Sequence, residues 1–297
     1  MRRRFFTLDV FTARRFTGNP LAVVLEPQGL DTAAMQTIAR EFGHPETVFV
    51  FPGEQSGHRA KLRIFTPARE LPFAGHPTVG TAVLLARLDG GAQSRDLILG
   101  EGVGPVACVV TPAGEGGSAS FTVPRTPERI GVLQNVNDVA AALSLRTDDI
   151  GCENFALERW SAGNPFGFVP LRGLDAMQRA RPDLSCWDGA FGAEGVGTFL
   201  FCRQTAEPGR SFHARMFAPS HGVPEDPATG SAAAAFAGMV AASGQLGDGE
   251  HTLTIEQGYE MGRPSLIRIG MTIARGKLTG ATIGGDAVVV TEGQIEA

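Results

Sequence analysis

The chain has 297 residues, of which 43% are hydrophobic and 19% are charged, as in ordinary soluble globular proteins. This length is sufficient for two domains with separate cores, and the composition excludes a mainly disordered chain. The net charge of −5 argues against a nucleic-acid partner, because phosphate binding requires a concentrated basic surface.

The cysteine pattern and the apolar segments indicate where the protein functions. The four cysteines lack CxxC spacing, which favours reduced thiols in a cytoplasmic protein over a disulfide framework. An apolar run near the N-terminus is interrupted by Thr7, Asp9 and Thr12, so it does not form a signal-peptide core. The most apolar segment, 232–242, is too short to span a bilayer. We therefore expect a soluble cytoplasmic protein with no membrane partner and no metal site.

The first half begins with two predicted strands, 5–11 and 21–25, which are separated by a turn containing Gly18-Asn19-Pro20. A helix follows, because apolar residues recur at helical spacing after Asp31, which is a suitable N-cap. That helix is predicted to end at Gly43.

A strand at 47–51 comes next, so Glu46 lies at a helix-to-strand junction, where a side chain can be directed into a cleft. A strand at 60–66 then leads through a loop to His76. A residue before proline avoids the helical region, whereas proline suits the first helical position. His76 is therefore predicted to be the N-cap of a helix at 77–88. Further predicted strands, at 95–99, 106–111 and 118–123, indicate an antiparallel meander.

The second half is predicted to follow a linker at 124–130, which contains two prolines and charged residues. Asp226 is predicted to cap a helix at 227–242, whose later part, 232–242, is apolar on every face. A helix without a polar face must be buried all round, so we predict that a sheet wraps it. The other predicted elements are a helix at 137–145 and strands at 166–170, 198–203, 211–217, 252–256, 265–269, 271–278 and 287–291.

Three sequence features recur in the same order in both halves. They are Gly-Asn-Pro at 18–20 and 163–165, Arg-x-Phe-x-Pro at 63–67 and 215–219, and [His/Asp]-Pro-x-x-Gly-[Thr/Ser]-Ala at 76–82 and 226–232. Three matches in register indicate an internal duplication. We predict two domains, 1–124 and 125–297, and leave open whether the last strand packs back on the first half.

Two similar halves would bring the N-termini of the central helices to one cleft. Each N-terminus presents free backbone N–H groups and about half a positive charge, which predicts a site for a small carboxylate. His76 and Asp226 would flank this site, with Thr81 and Ser231 as hydroxyl donors. Capping alone is also a sufficient role for His76 and Asp226, and a local backbone hydrogen bond is a sufficient role for Ser231. The residues by themselves thus indicate an anion-binding two-domain protein.

Almost the whole chain also resembles the PhzF-like family, which is named for the isomerase of phenazine biosynthesis. The segments that carry this resemblance are 8–12, 16–24, 45–49, 70–80, 224–232 and 257–265. The resemblance implies a diaminopimelate-epimerase-like α+β fold with two pseudo-symmetric domains, each a mostly antiparallel curled sheet or barrel around a central α-helix. It also implies a homodimer.

The resemblance further implies a cofactor-independent isomerisation of a small carboxylate-containing metabolite in the cleft between the domains. Glu46 would remove a proton from one carbon and return it to another. The implied catalytic residues are Glu46, His76, Asp226 and Ser231, and the implied substrate-binding residues are Asn19, Gly75, Thr78, Thr229 and Gly230.

The chain departs from related patterns at two places. Racemases of the same fold carry a cysteine at each helix N-terminus, and neither repeated motif here contains one, so thiol chemistry is not expected. Before Glu46, the family's Asn-x-Ser is replaced by Gly43-His44-Pro45, which keeps the base but changes its surroundings. The alternative is a catalytically inactive anion-binding or regulatory protein of the same fold. A metal-dependent hydrolase is less favoured because no ligand cluster is visible.

Overall fold

A computed structural model of the protein describes residues 1–192 and 196–297. The polypeptide folds into two compact units. Unit one contains Met1–Pro124 and Ile283–Ala297, and unit two contains Arg125–Thr282. The end of the chain, which the sequence division assigned to the second half, therefore belongs to unit one.

Unit one begins with a strand and contains two α-helices. Its elements are β1 Arg2–Val10, β2 Asn19–Leu25, α1 Thr32–Phe42, β3 Glu46–Pro52, β4 Ala60–Phe65, β5 Glu70–Leu71, α2 Gly75–Asp89, β6 Arg95–Glu101, β7 Gly104–Ala113 and β8 Gly116–Thr122.

Unit two contains the remaining helices, and its last strand continues into unit one. The elements are β9 Glu128–Val132, α3 Val136–Ala142, β10 Glu158–Ser161, β11 Pro165–Pro170, α4 Leu174–Arg179, α5 Leu184–Phe191, β12 Gly197–Cys202, β13 Phe212–Ala218, β14 Val223–Asp226, α6 Gly230–Ala242, β15 Gly249–Gln257, β16 Ser265–Ala274 and β17 Lys277–Glu296.

The strands of unit one close into a barrel around α2. The ring of pairings runs from β1 to β2, β3, β4, β6, β7, β8 and β17, and β17 pairs again with β1. Helix α2 contacts six of these strands, and its residues 75–86 are all buried. Burial on every side explains why the helix has no polar face.

Unit two repeats the strand order of unit one. From β10 to β11, β12, β13, β15 and β16, the pairings are antiparallel, parallel, antiparallel, parallel and antiparallel. The same alternation runs from β1 to β2, β3, β4, β6 and β7. The duplication in the sequence is thus a duplication of strand order, and α6 holds the place of α2.

Helix α2 begins earlier than the sequence predicts. Its first residue is Gly75 and its N-cap is Ala74, so the prediction of His76 as the N-cap was wrong. His76 is the second helical residue and Pro77 the third. The local preference of a residue before proline for an extended conformation is overridden here, because the first turn is buried inside the barrel.

Helix α6 begins later than predicted, at Gly230, with Thr229 as its N-cap. Asp226 is therefore not a cap: it is the last residue of β14, where it pairs with Met216 of β13. The extended conformation expected before Pro227 is kept at this position. The two copies of the motif consequently differ in backbone structure at their first residue.

Other boundaries also differ from the predicted ones. The predicted linker overlaps β9, which pairs with β10, and the predicted strands at 265–269 and 271–278 form largely one strand, β16. The sequence did not predict β10, α4 or α5. Among the described residues, no helix has both the length and the apolarity needed to cross a membrane.

Candidate active site

The first cluster of candidate residues lies in unit one and places Glu46 next to His76; we call it the first half-site. Glu46 starts β3, which lies parallel to β2, and His76 lies in the first turn of α2. Nε2 of His76 is 3.2 Å from Oε2 of Glu46, and both side chains are largely removed from solvent. Two candidate catalytic residues that are far apart in sequence are thus in contact.

The imidazole of His76 is neutral. Burial lowers the pKa of His76 to about 3; a hydrogen bond from the ring to the Pro20 carbonyl opposes this shift, and the nearby His44 adds to it. Because Nε2 faces Glu46, the ring N–H that donates to Pro20 is on Nδ1, and Nε2 carries a lone pair. A hydrogen bond across the 3.2 Å gap then requires a proton on the Glu46 carboxyl group.

The other predicted residues of unit one lie near the start of α2. Asn19 is fully buried at the first position of β2, and Gly75 is the first residue of α2. The Thr78 hydroxyl is 2.8 Å from the Ala74 carbonyl and 2.7 Å from a carboxyl oxygen of Glu101. The predicted substrate-binding hydroxyl of Thr78 is therefore engaged within the protein.

The second half-site, in unit two, is a closed network around Asp226. The Thr229 hydroxyl donates to Asp226 Oδ2 at 2.6 Å, which explains why Thr229 makes no side-chain capping bond. Gln257 Nε2 donates to the Asp226 carbonyl at 2.7 Å and to Thr229 Oγ1 at 3.0 Å. The Thr229 N–H donates to Gln257 Oε1 at 3.1 Å. Thr229 thus orients the Asp226 carboxylate, and two hydrogen bonds with Gln257 orient Thr229.

The first turn of α6 supplies the remaining candidates. Gly230 is the first helical residue, and Ser231 is the second and is half-buried. Backbone N–H groups in a first turn lack intrahelical acceptors. In α2 the third helical residue is Pro77, which has no N–H, so α6 offers more donors for an anion than α2 does.

Two further residues of these networks were not predicted individually from the sequence. Gln257 lay only within a segment of the family resemblance, and Glu101 lay in the glycine-rich segment 100–104 after the predicted strand at 95–99, to which no function was assigned. Burial raises the pKa of Glu101 to about 8, and its contact with Thr78 only partly offsets this. Among residues 1–192 and 196–297, no cluster of three or more His, Cys, Asp or Glu side chains could hold a metal ion.

We expect the pKa values of two buried histidines, His76 and His213, to be shifted in opposite directions. His76 should remain neutral until about pH 3, because burial lowers its pKa. Burial also lowers the pKa of His213, but contacts at 2.7 Å and 3.0 Å with Glu256 and Glu260 outweigh it, and the net shift is upward. Proton-detected ¹⁵N NMR of the histidine rings from pH 4 to 9 should show His76 neutral throughout and His213 gaining its proton above the ordinary histidine pKa of 6.5. Protonation of His76 near pH 6.5 would contradict the geometry of the first half-site.

Sequence comparisons cover almost the entire chain. The model of the family PhzC-PhzF, described as phenazine biosynthesis-like protein, matches residues 8–293. An uncharacterized isomerase of Mesorhizobium japonicum is 45% identical over 99% of this chain and 98% of its own length. Trans-2,3-dihydro-3-hydroxyanthranilate isomerase of Pseudomonas fluorescens is 33% identical over 98% of both chains.

Comparison with solved structures agrees with this result. A phenazine biosynthesis protein of the PhzF family from Bacillus anthracis has a TM-score of 0.88 at 25% identity, covering 100% of both chains. A hydroxyproline epimerase from Agrobacterium vitis, at 11% identity, has a TM-score of 0.68 over 99% of this chain and 91% of its own, and shares the fold alone. The expected α+β fold of the diaminopimelate-epimerase type is confirmed. The chain is an isomerase that belongs to the PhzC-PhzF family of phenazine biosynthesis-like proteins.

Proposed function

We propose that this isomerase moves a proton between two carbons of a small carboxylate-containing metabolite, with Glu46 as the acid–base group. The observation that supports the proposal is the 3.2 Å contact between Glu46 and a neutral His76. A neutral imidazole adds no positive charge beside the carboxyl group, and it offers an acceptor for the proton that Glu46 gains.

In the proposed reaction, the Glu46 carboxylate takes a proton from a substrate carbon. The resulting O–H donates to Nε2 of His76, which holds the carboxyl group in place until the proton is returned to a second carbon. Acid–base groups of this kind accelerate proton transfer only when they are positioned within hydrogen-bond reach of the reacting proton. The positions of Glu46 at the start of β3 and of His76 in the buried first turn of α2 keep the two side chains together.

The second half-site is proposed to bind the same substrate. Asp226, oriented by Thr229, would accept a hydrogen bond from an amine or hydroxyl group. The first-turn N–H groups of α6 and the Ser231 hydroxyl would bind the substrate carboxylate and stabilise negative charge as it develops. The substrate is thus expected to combine a carboxylate with a nearby hydrogen-bond donor.

Turnover in deuterium oxide would test this proposal. We expect the wild-type protein to isomerise trans-2,3-dihydro-3-hydroxyanthranilate or another member of a panel of small amino and hydroxy acids. The product should carry at most one deuterium, on the carbon that receives the proton, as measured by mass spectrometry and NMR. Tight binding by calorimetry without any turnover across the panel would instead support the anion-binding regulatory alternative, which the altered segment Gly43-His44-Pro45 motivates.

A further inference from the structure

The strand register identifies equivalent positions in the two units. The repeated Arg-x-Phe segments lie on β4 and β13, and each of these strands pairs in parallel with a strand that follows the central helix. In unit one, Ala60 lies opposite Leu99, and in unit two, Phe212 lies opposite Ile255. Aligning Arg63 with Arg215 in the repeated motif makes Ala60 equivalent to Phe212, and the strand register then makes Leu99 equivalent to Ile255.

Two residues further along these strands, Glu101 becomes equivalent to Gln257. Each is the last residue of its strand, each is buried, and each is followed by a glycine. Both glycines pack closely against a proline. A Cβ on Gly102 would lie 2.8 Å from Pro72 Cα, and a Cβ on Gly258 would lie 2.6 Å from the Pro227 carbonyl oxygen.

Both side chains also contact a threonine near the start of the central helix. Gln257 Nε2 donates to Thr229 Oγ1, and the Thr229 hydroxyl donates onward to Asp226. In unit one, Thr78 Oγ1 lies 2.7 Å from Glu101 and 2.8 Å from the Ala74 carbonyl.

The contact of Glu101 with Thr78 resembles that of Gln257 with Thr229 when the number of hydroxyl hydrogens is considered. A threonine hydroxyl has one hydrogen, so Thr78 donates to only one of its two oxygen neighbours. When it donates to Glu101, the carboxyl oxygen accepts; when it donates to the Ala74 carbonyl, a protonated Glu101 carboxyl group can donate to the Thr78 oxygen instead. Burial raises the pKa of Glu101 to about 8, so the protonated form prevails at neutral pH. Glu101 then presents a neutral group that can donate and accept a hydrogen bond, as the Gln257 amide does.

We propose that Glu101 and Gln257 are equivalent positioning residues of the isomerase, each of which is hydrogen-bonded to a threonine and so fixes the start of one half-site. Glu101 acts through Thr78 on the first turn of α2, which carries His76. Gln257 acts through Thr229 on Asp226. The inference rests on the proposed function and extends it to two residues that act on the half-sites indirectly.

Glu101 makes the first contact sensitive to pH. Thr78 faces it from α2, and Cys108 faces it from β7, where burial and Glu101 itself raise the pKa of the thiol to about 12. On β4, the Lys61 ammonium is bonded to Glu54 at 2.6 Å. Loss of the Glu101 proton near pH 8 therefore leaves a buried charge beside Thr78 at the start of α2.

A first test compares thermal unfolding of the wild type and Glu101→Gln from pH 5 to pH 9. Unfolded Glu101 loses its proton near its ordinary pKa of 4.5, whereas folded Glu101 keeps it to about pH 8. Wild-type stability should therefore fall as pH rises through this window, and glutamine cannot contribute such a loss. The Tm of Glu101→Gln relative to wild type should rise from pH 5 to pH 9. The same Tm difference at both pH values would overturn the protonation of Glu101.

A second test measures kcat and KM for isomerisation against pH. Glu101→Gln should remove the loss of kcat above pH 8, and Glu101→Leu should lower kcat about tenfold at every pH because no hydrogen-bonding partner for Thr78 remains on β6. Gln257→Glu should lower kcat about tenfold at pH 8 and recover towards pH 5, where the new carboxyl group is protonated. Gln257→Leu should show no such recovery. Unchanged pH profiles in the glutamine and glutamate variants would overturn the proposal.

Hydrogen exchange separates failure of this inference from failure of the proposed function. If the wild type proves inactive, Glu101→Leu should still lower protection of peptide 74–82 about tenfold, and Gln257→Leu that of peptide 226–232. Leu99→Val and Ile255→Val, which alter buried side chains of the same strands, should leave both peptides unchanged. Equal loss of protection in all four variants would show only general loosening and would contradict the proposal. If Glu46→Gln removes activity while both leucine variants keep the wild-type profile and protection, only the positioning roles fail.

Discussion

Replacing Glu46 with glutamine should lower kcat for isomerisation by about 10²–10⁴-fold, the usual contribution of a positioned acid–base group. The amide has nearly the same shape as the carboxyl group, but it cannot take a proton from carbon. KM should change much less than kcat, because the substrate-binding groups proposed at α6 are untouched. Initial rates and the rate of deuterium transfer would measure the loss.

Glu54→Gln is the matched control for this variant. Glu54 follows β3 on the exposed surface, where it pairs with Lys61 at 2.6 Å, and its replacement should leave kcat at the wild-type value. Wild-type activity in Glu46→Gln would refute the proposed mechanism. A loss of the same size in Glu54→Gln would show that the effect is not specific to the contact with His76.

Replacing Phe236 with alanine should destabilise unit two by about 3–5 kcal/mol, as is typical of a large side chain removed from a packed core. Phe236 is fully buried in the middle of α6. Its ring lies within 6.3 Å, centroid to centroid, of five other phenylalanine rings, those of Phe155, Phe168, Phe199, Phe201 and Phe212. Urea unfolding followed by near-ultraviolet circular dichroism would measure the change.

Phe16→Ala is the control variant, because it removes an exposed phenylalanine. Its side chain belongs to a residue that is 73% exposed, so its removal should change stability by no more than about 0.5 kcal/mol. Phe236→Leu should lie between the two, because it keeps most of the apolar volume. Similar losses for Phe236→Ala and Phe16→Ala would mean that the ring cluster around α6 does not organise unit two.

Features with a local cause were predictable from the sequence. Helix α1 begins after Asp31, whose side chain accepts from the Ala34 N–H at 2.8 Å, and ends at Gly43, which adopts a left-handed φ of 64°. Both depend only on neighbouring residues. The burial of α6 was also predictable, because a stretch without polar residues must be covered on all sides.

Features that depend on distant residues were not predictable in this way. The start of α2 is set by packing inside a barrel, which overrides the preference of His76 for an extended conformation before proline. Gln257 contacts Asp226, and Glu101 contacts Thr78. In the sequence, each pair is separated by a central helix and the strand that follows it. Propensity and periodicity carry no information about such pairs. The direct contact of Glu46 with His76 likewise became visible only in three dimensions.

The position of β17 has a consequence for how the protein forms during synthesis. Residues 287–296 pair with β1 along its whole length, and β17 also pairs with β8. Until the ribosome has released this strand, β1 and β8 keep edges with unpaired backbone groups, which are prone to aberrant pairing. Domains usually fold in the order in which they are synthesised. Here unit two, whose residues end at 282, can finish first, and the barrel that carries Glu46 and His76 closes last.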